Sequence, residues 1–134
     1  MPTKSIPELV DFLLELERLD DKWTEILNLL KTEISSTDFK KFDIYMKDRA
    51  AEYEQLLVYF IYRHFANAPE LIYTPERALF AAVAYKIIYS IGAVIFNRTG
   101  KFTFEDQVEI CRLFSGEIEY SDENLYSFFD FVIN

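Results

Sequence analysis

YEQLLVYFIYRHFA, residues 53–66, and ALFAAVAYKIIYSIGAVIF, residues 78–96, are the two stretches that decide the fold of this chain. Both are rich in apolar residues over a length typical of helices rather than strands. The segment between them, NAPELIYTPER, contains two prolines and a helix start, with Thr74 as the N-cap and Pro75 at the first helical position. The sequence therefore predicts a central antiparallel helical hairpin, with helices at about 39–66 and 75–98.

The second of these stretches must be weighed as a membrane span, because about 20 apolar residues can cross a bilayer. Its 19 residues carry a single charge, Lys86, near the middle. A lysine at the centre of a span costs about 2.5–3.5 kcal/mol, and no basic cluster flanks one end. We therefore predict a buried central helix and no membrane span.

Length and composition predict the fold class. The chain has 134 residues, of which 51% are hydrophobic, and its 3 Gly and 4 Pro leave few turns, which favours long helices. We predict one all-α domain over residues 1–134, a bundle of about six helices. One cysteine rules out an internal disulfide and a Cys-only metal cluster, and it fits a cytoplasmic location.

Local signals place the ends of several helices. A capping box at Ser5 and Glu8 starts a helix that is predicted to reach Leu19. A long helix is predicted from Phe39 to about Ala66, and the sequence does not decide whether it breaks near Asp48. Gly100 suits a left-handed cap. The helix that begins near Thr103 is predicted to bury Phe104, Val108, Cys111, Phe114 and Ile118.

Charge is segregated along the chain. The formal net charge is -9, of which -7 falls in residues 103–134, with Arg112 the one base there. A nucleic-acid surface needs the opposite sign, so DNA or RNA binding is not expected. The acidic segment is either a solvated face or a docking face for a basic partner.

Motifs for common catalytic chemistry do not occur. The glycines Gly92, Gly100 and Gly116 are isolated, which excludes Gly-rich phosphate and dinucleotide loops, including that of a Rossmann-type methyltransferase. His64 is the only histidine, and we interpret it as a structural residue near the C-terminal end of its helix. No metal site is predicted, and the repeated carboxylates are interpreted as solvated helix faces: Glu105, Glu109, Glu117 and Glu119.

Lys86 needs a partner if its helix is buried. In an antiparallel hairpin it lies opposite Glu54, the one carboxylate in the apolar half of the preceding helix. We predict an ion pair between Glu54 and Lys86, which would fix the register of the hairpin. The alternative is a ligand pocket that these residues line together with Tyr53, Tyr85 and Tyr89.

The run DQVEICRLFSGEIEYSDENL, residues 106–125, carries a family resemblance. Together with YEQLLVYFIYRHF, FAAVAYKIIYSIG and DFLLELERLDDKWTEIL, it resembles the C-terminal region of the flagellin lysine-N-methylase family, over nearly the whole chain. The resemblance implies a bacterial, cytoplasmic protein related to enzymes that methylate flagellin lysines with S-adenosylmethionine. The residues that match the family pattern are Arg112, Ser115, Glu117, Glu119, Ser121, Asp122, Glu123 and Asn124.

The family's N-terminal cysteine cluster, which holds an iron–sulfur centre, has no counterpart here, where Cys111 is the only cysteine. The chain is thus expected to be either a domain of a longer protein or a shortened relative, with no cofactor of its own. Its expected task is to support the missing N-terminal half or to present substrate, so that half and flagellin are the implied partners.

The competing interpretation is a free-standing interaction module. The last predicted helix has one apolar stripe, and Tyr126, Phe131 and Ile133 lie outside it. Such an excess of apolar surface predicts a homodimer through the C-terminal aromatic helix.

Overall fold

A computed structural model of the chain describes residues 4–65, 75–119 and 122–133. Within these residues there are seven α-helices and no strand, which confirms the all-α prediction. The helices are α1 (Ile6–Glu15), α2 (Asp21–Glu33), α3 (Phe39–Tyr45), α4 (Ala50–Phe65), α5 (Pro75–Thr99), α6 (Phe104–Phe114) and α7 (Asp122–Ile133). Short 3₁₀ turns cover Ile34–Ser36 and Lys47–Arg49, and a π-helical turn covers Ser115–Glu119.

Helix starts follow the polar signals in the sequence. The Ser5 hydroxyl accepts a hydrogen bond from the backbone N–H of Glu8, and the Glu8 carboxylate accepts one from the backbone N–H of Ser5. The predicted capping box therefore forms. Thr103 makes a second box with Asp106 at the start of α6. Gly100 has a φ of 82° directly after α5, the left-handed cap that glycine adopts without strain. Thr74, the predicted cap of α5, lies outside the described residues.

Helix α5 is the centre of the fold, since it packs against α2, α3, α4, α6 and α7. It is the one helix in the described part of the chain that is long and apolar enough to cross a bilayer. However, 61% of its most apolar window is buried inside the protein. Apolar residues all round a helix are what a core position requires, and α5 is therefore the buried central helix that the sequence predicts.

The long helix predicted over residues 39–66 is divided into α3 and α4, with the break at Met46 and the 3₁₀ turn Lys47–Arg49. Side chains on both sides of the break contact the loop after α5. The Tyr45 hydroxyl lies 3.3 Å from the backbone oxygen of Phe102, and the Arg49 guanidinium donates to the same oxygen. The two side chains therefore tie the turn between α3 and α4 to the loop after α5.

A cluster of aromatic rings joins α3, α5 and the loop after α5. The fully buried Phe42 contacts Tyr89, Phe96 and Phe102 at centroid distances of 5.0–5.8 Å. Gly92 makes this packing possible, because a Cβ at that position would lie 3.0 Å from Cζ of Phe42 and 3.2 Å from the Phe102 ring. The rings therefore rest directly on the backbone of α5.

Two predictions about local structure were wrong. Helix α1 ends at Glu15 rather than Leu19, because the chain turns into a loop before α2. Helix α6 buries Gln107, Ile110, Leu113 and Phe114, while Phe104 and Val108 are 59% and 49% exposed and Cys111 is half-buried. Apolar residues lie on more than one face of α6, so spacing alone did not single out the face that packs on α5.

Candidate functional site

The three tyrosines predicted as a possible pocket lining do lie together. Tyr53 of α4 meets Tyr85 and Tyr89 of α5, which are one helical turn apart and so share a face. They line a cleft of about 310 Å³, which we call the tyrosine cleft. Its full lining is Asp43, Met46, Lys47, Ala50, Tyr53, Glu54, Tyr85 and Tyr89.

The rings of the tyrosine cleft form a corner. Tyr85 and Tyr89 are nearly parallel, with centroids 5.7 Å apart and an interplanar angle of 24°. Tyr53 stands across them, at 86° to Tyr85 and 64° to Tyr89, with centroid distances of 5.3 and 5.1 Å. Edge-to-face and offset contacts of this kind are favourable for aromatic rings. The cleft thus has two aromatic walls that meet at a steep angle.

Acidic groups accompany the rings. The Tyr89 hydroxyl donates a hydrogen bond to the Asp43 carboxylate. Burial and the charge of Asp43 raise the pKa of Tyr85, and burial raises the pKa of Tyr53 well above its usual range. These phenols therefore stay neutral at physiological pH, so the negative charge of the cleft comes from Asp43 and Glu54.

The predicted ion pair between Glu54 and Lys86 is not formed. Lys86 is half-buried, and its ammonium lies 3.4 Å from the backbone oxygen of Lys4, just before α1. Glu54 is exposed and lines the tyrosine cleft instead. Residues 85 and 86 differ by about 100° around α5, so the helix can turn Tyr85 toward α4 while Lys86 points toward α1. Lys86 also lies outside the cleft, so the alternative pocket forms without it.

Tyr53 has a polar group that its surroundings do not satisfy. Its side chain is 5% exposed, and its hydroxyl has no hydrogen-bond partner. The side chain of Gln107 of α6 lies near this hydroxyl and partly offsets the effect of burial on the pKa of Tyr53. The amide oxygen and nitrogen of Gln107, like the Tyr53 hydroxyl, have no well-formed hydrogen bond. A buried polar group without a partner costs about 1–3 kcal/mol.

We therefore expect Tyr53→Phe to leave the free energy of unfolding unchanged or to raise it by up to about 1 kcal/mol. Tyr45→Phe is the matched control, because the Tyr45 hydroxyl contacts Phe102 at 3.2–3.3 Å. The control is expected to lose about 1 kcal/mol. Urea unfolding of both variants measures the difference, and an equal loss in both would show that the Tyr53 hydroxyl is paired.

Residues of the family-pattern segment meet the loop between α1 and α2. Glu117, in the π-helical turn, is 3% exposed. Its carboxylate accepts hydrogen bonds from the backbone N–H of Leu19, at 2.9 and 3.0 Å, and of Asp20, at 2.6 Å. The Asn124 amide donates to the backbone oxygens of Glu17 and Glu117, each at 2.9 Å. We call this arrangement the Glu117 junction.

Glu117 was interpreted from the sequence as part of a solvated face, and that interpretation was wrong. The donors that bind its carboxylate are backbone N–H groups about 98 residues earlier in the chain. A pattern in the neighbouring sequence therefore could not have indicated them. Asn124 was named with the family pattern, but its contact with Glu17 was likewise invisible in the sequence. The π-helical turn, a feature often found at functional or strained points of helices, carries Glu117 to this loop.

Arg112 lies on the surface beside the Glu117 junction. Its guanidinium makes two hydrogen bonds with Glu109, at 2.8 and 2.9 Å, and lies 3.9 Å from the Asp20 carboxylate. The Arg112 hydrogen bond lowers the pKa of Glu109 to about 2, with a further contribution from Lys22. These groups are exposed, so they add little to stability.

The structure describes only some of the remaining residues that were predicted from the sequence. Ser115 is half-buried at the start of the π-helical turn, and Glu123 is exposed on α7. The side chains of His64, Glu119, Ser121 and Asp122 lie outside the described part of the chain. The predictions that concern them, including the structural histidine, stay predictions.

The donor atoms of this chain do not fit an iron–sulfur cluster. Such clusters are held by several cysteine thiolates, and the sequence has one cysteine, Cys111, half-buried on α6. Over residues 4–65, 75–119 and 122–133 there is no group of three or more His, Cys, Asp or Glu side chains that could hold a metal ion.

Comparison with protein families decides what the chain is related to. The family described as the FliB lysine N-methylase C-terminal domain matches residues 3–133. The chain belongs to this family. Neither a curated protein nor a solved structure matches the chain significantly. The Glu117 junction and the tyrosine cleft are thus two features of a FliB-type C-terminal domain, the first inside the segment that carries the resemblance and the second outside it.

Proposed function

We propose that this FliB-type domain supports the methyl-transferring half of a lysine N-methylase and presents the protein lysine to it. The observation that carries the proposal is the Glu117 junction. Two polar residues of the family-pattern segment, Glu117 and Asn124, are buried and bonded to the α1–α2 loop. Such bonds hold a domain in shape, which is what a supporting domain needs, and they leave these side chains engaged within the fold.

Charge supports the presenting role. A lysine-bearing segment is basic, and the net charge of the chain is -9. Complementary charge increases the rate at which partners meet and favours one orientation over others. The tyrosine cleft adds two carboxylates, Asp43 and Glu54, at a concave site. By the family resemblance, the partners would be the N-terminal half of the enzyme and flagellin.

A second candidate is an interaction module that binds a copy of itself. Exposed apolar side chains favour it: Phe104 and Val108 lie one turn apart on α6, and Tyr126 of α7 is 72% exposed. Phe131 supports it less than the sequence suggested, because its ring stacks on Phe12 at 4.1 Å and lies under the Lys4 ammonium. The side chain of Ile133 lies outside the described residues.

Removal of the domain tests the proposed function. In a full-length FliB-type enzyme that carries this domain, deletion of the domain is expected to abolish flagellin methylation, measured by mass spectrometry of the flagellin. This chain alone, mixed with flagellin and S-adenosylmethionine, is expected to transfer no methyl groups. Methylation by the chain alone, or full activity after its removal, would contradict the proposal.

A point substitution tests the supporting role of the Glu117 junction without removing the whole domain. Glu117→Ala in the full-length enzyme is expected to reduce methylation strongly, while Glu105→Gln, an exposed change in the same acidic region, is expected to leave it unchanged. For the second candidate, light scattering of this chain distinguishes dimer from monomer. A monomer that nevertheless restores activity to the deleted enzyme would favour the supporting role.

A further inference from the structure

The tyrosine cleft is not explained by support of another domain. Two half-buried rings, Tyr85 and Tyr89, and the carboxylates of Asp43 and Glu54 line a concave opening there. We propose that the tyrosine cleft binds an N-methylated alkylammonium group. Its source, which rests on the proposed function, is the side chain of a methylated lysine.

Ring geometry suits a cation. The three centroids are 5.1–5.7 Å apart, so a cation held against the half-buried Tyr85 and Tyr89 can lie within ~6 Å of both centroids, the range of cation–π attraction, with the more buried Tyr53 ring behind them. The steep angles of Tyr53 to the other two rings let a rounded group contact two walls at once. Aromatic corners of this kind are how proteins hold methylated ammonium groups.

Charge favours the same ligand. Asp43 and Glu54 line the cleft with two negative charges, and the exposed Lys47 is the one cation among the lining residues. A mono- or dimethylated lysine keeps an N–H that can donate to a carboxylate, while its methyl groups lower the hydration that the rings must replace. The cleft therefore combines the two contacts that partly methylated ammonium groups need.

Size limits the ligand. A volume of about 310 Å³ is at the lower end of pockets that hold small molecules. It suits the end of a side chain rather than a cofactor as large as S-adenosylmethionine. Lys47 also lines the cleft, and its flexible stem lets its ammonium move away when a ligand cation enters.

Ligand-observed NMR tests the proposal with this chain and short peptides that contain one lysine, unmethylated or with one, two or three Nε-methyl groups. The N-methyl protons of the mono- and dimethylated peptides are expected to shift upfield, because the faces of the rings shield them. Binding is expected in the millimolar range or tighter, and about fivefold or more stronger than for the unmethylated peptide. A peptide with a neutral tert-butyl group in place of the ammonium is expected not to bind.

Variants separate the cleft from other sites. Tyr85→Leu and Glu54→Gln are expected to weaken binding about fivefold and about twofold, whereas Tyr53→Phe keeps its ring and is expected to bind as the native chain does. Tyr126→Leu removes an exposed tyrosine on α7 and is the matched control. Lys47→Gln is expected to strengthen binding.

Equal binding of the tert-butyl peptide, unchanged affinity in Tyr85→Leu, or no shift at millimolar peptide would overturn the assignment of the cleft. Free dimethylamine distinguishes the source of the group. If it binds as well as the dimethylated peptide, the cleft recognises the ammonium alone and the lysine source is wrong. Because these measurements use no enzyme activity, their failure leaves the supporting role intact, and failure of the deletion experiment leaves the cleft intact.

Discussion

The Phe42→Ala variant is expected to unfold with a free energy about 3–5 kcal/mol lower than that of the native chain. Phe42 is fully buried and contacts three other aromatic rings, and its ring tip also rests against the backbone of Gly92. Loss of the ring removes apolar contacts and leaves a cavity that rigid neighbours cannot fill. Urea unfolding followed by far-ultraviolet circular dichroism measures the change.

A matched pair makes that result specific. Phe104→Ala removes the same ring from a position that is 59% exposed and is expected to cost less than about 1 kcal/mol. Phe42→Leu, which keeps an apolar side chain, is expected to fall between the two. If Phe42→Ala and Phe104→Ala unfold alike, then the aromatic cluster around Gly92 does not hold α3 on α5.

Glu117→Ala is expected to lower the free energy of unfolding by about 3 kcal/mol. Its carboxylate accepts hydrogen bonds from the backbone N–H groups of Leu19 and Asp20 at 2.6–3.0 Å, and the side chain is 3% exposed. Without it these two donors lose their partner, and each unsatisfied donor costs about 1–3 kcal/mol where water does not reach it. Thermal and urea unfolding measure the loss.

The control for Glu117 is Glu117→Gln, which keeps the shape and one acceptor oxygen but turns an NH₂ group toward the N–H donors. It is expected to lose about half as much stability. Glu109→Gln, which breaks the surface pair with Arg112, is expected to change stability far less than Glu117→Ala does, because water screens that pair. A Glu117→Gln variant as stable as the native chain would show that the charge of Glu117 contributes nothing at the junction.

Much of the fold could be predicted because its causes are local. The capping box at Ser5, the helix start near Thr103 and the left-handed Gly100 each depend on a few neighbouring residues, and each was confirmed. The break before α4 was left undecided, and the contacts made there reach Phe102, more than 50 residues later in the chain. The face that α6 buries was predicted wrongly, because several of its faces are apolar.

In the candidate site, too, the features with local causes could be predicted and those that depend on distant residues could not. Tyr85 and Tyr89 share a helical face by their spacing, so the hairpin was enough to bring Tyr53 to them. The partner of Lys86 could not be deduced, because the rotation of α5 is set by all five helices around it. Glu117 looked like one more surface acid, since nothing in its neighbourhood points to the loop before α2.

The Glu117 junction also has a consequence for how the chain is made. It joins residues separated by 97 and 98 positions, and the Asn124 bond to Glu17 spans 107. During synthesis, the hydrogen bonds of Glu117 to the turn between α1 and α2 cannot form until a segment about 98 residues later has left the ribosome. Contacts between residues this far apart in sequence form late, because a long loop must close before they can be made. Helices α1 and α2 can pack on each other earlier, but the bonds that fix the turn between them form only after Glu117 and Asn124 have been made.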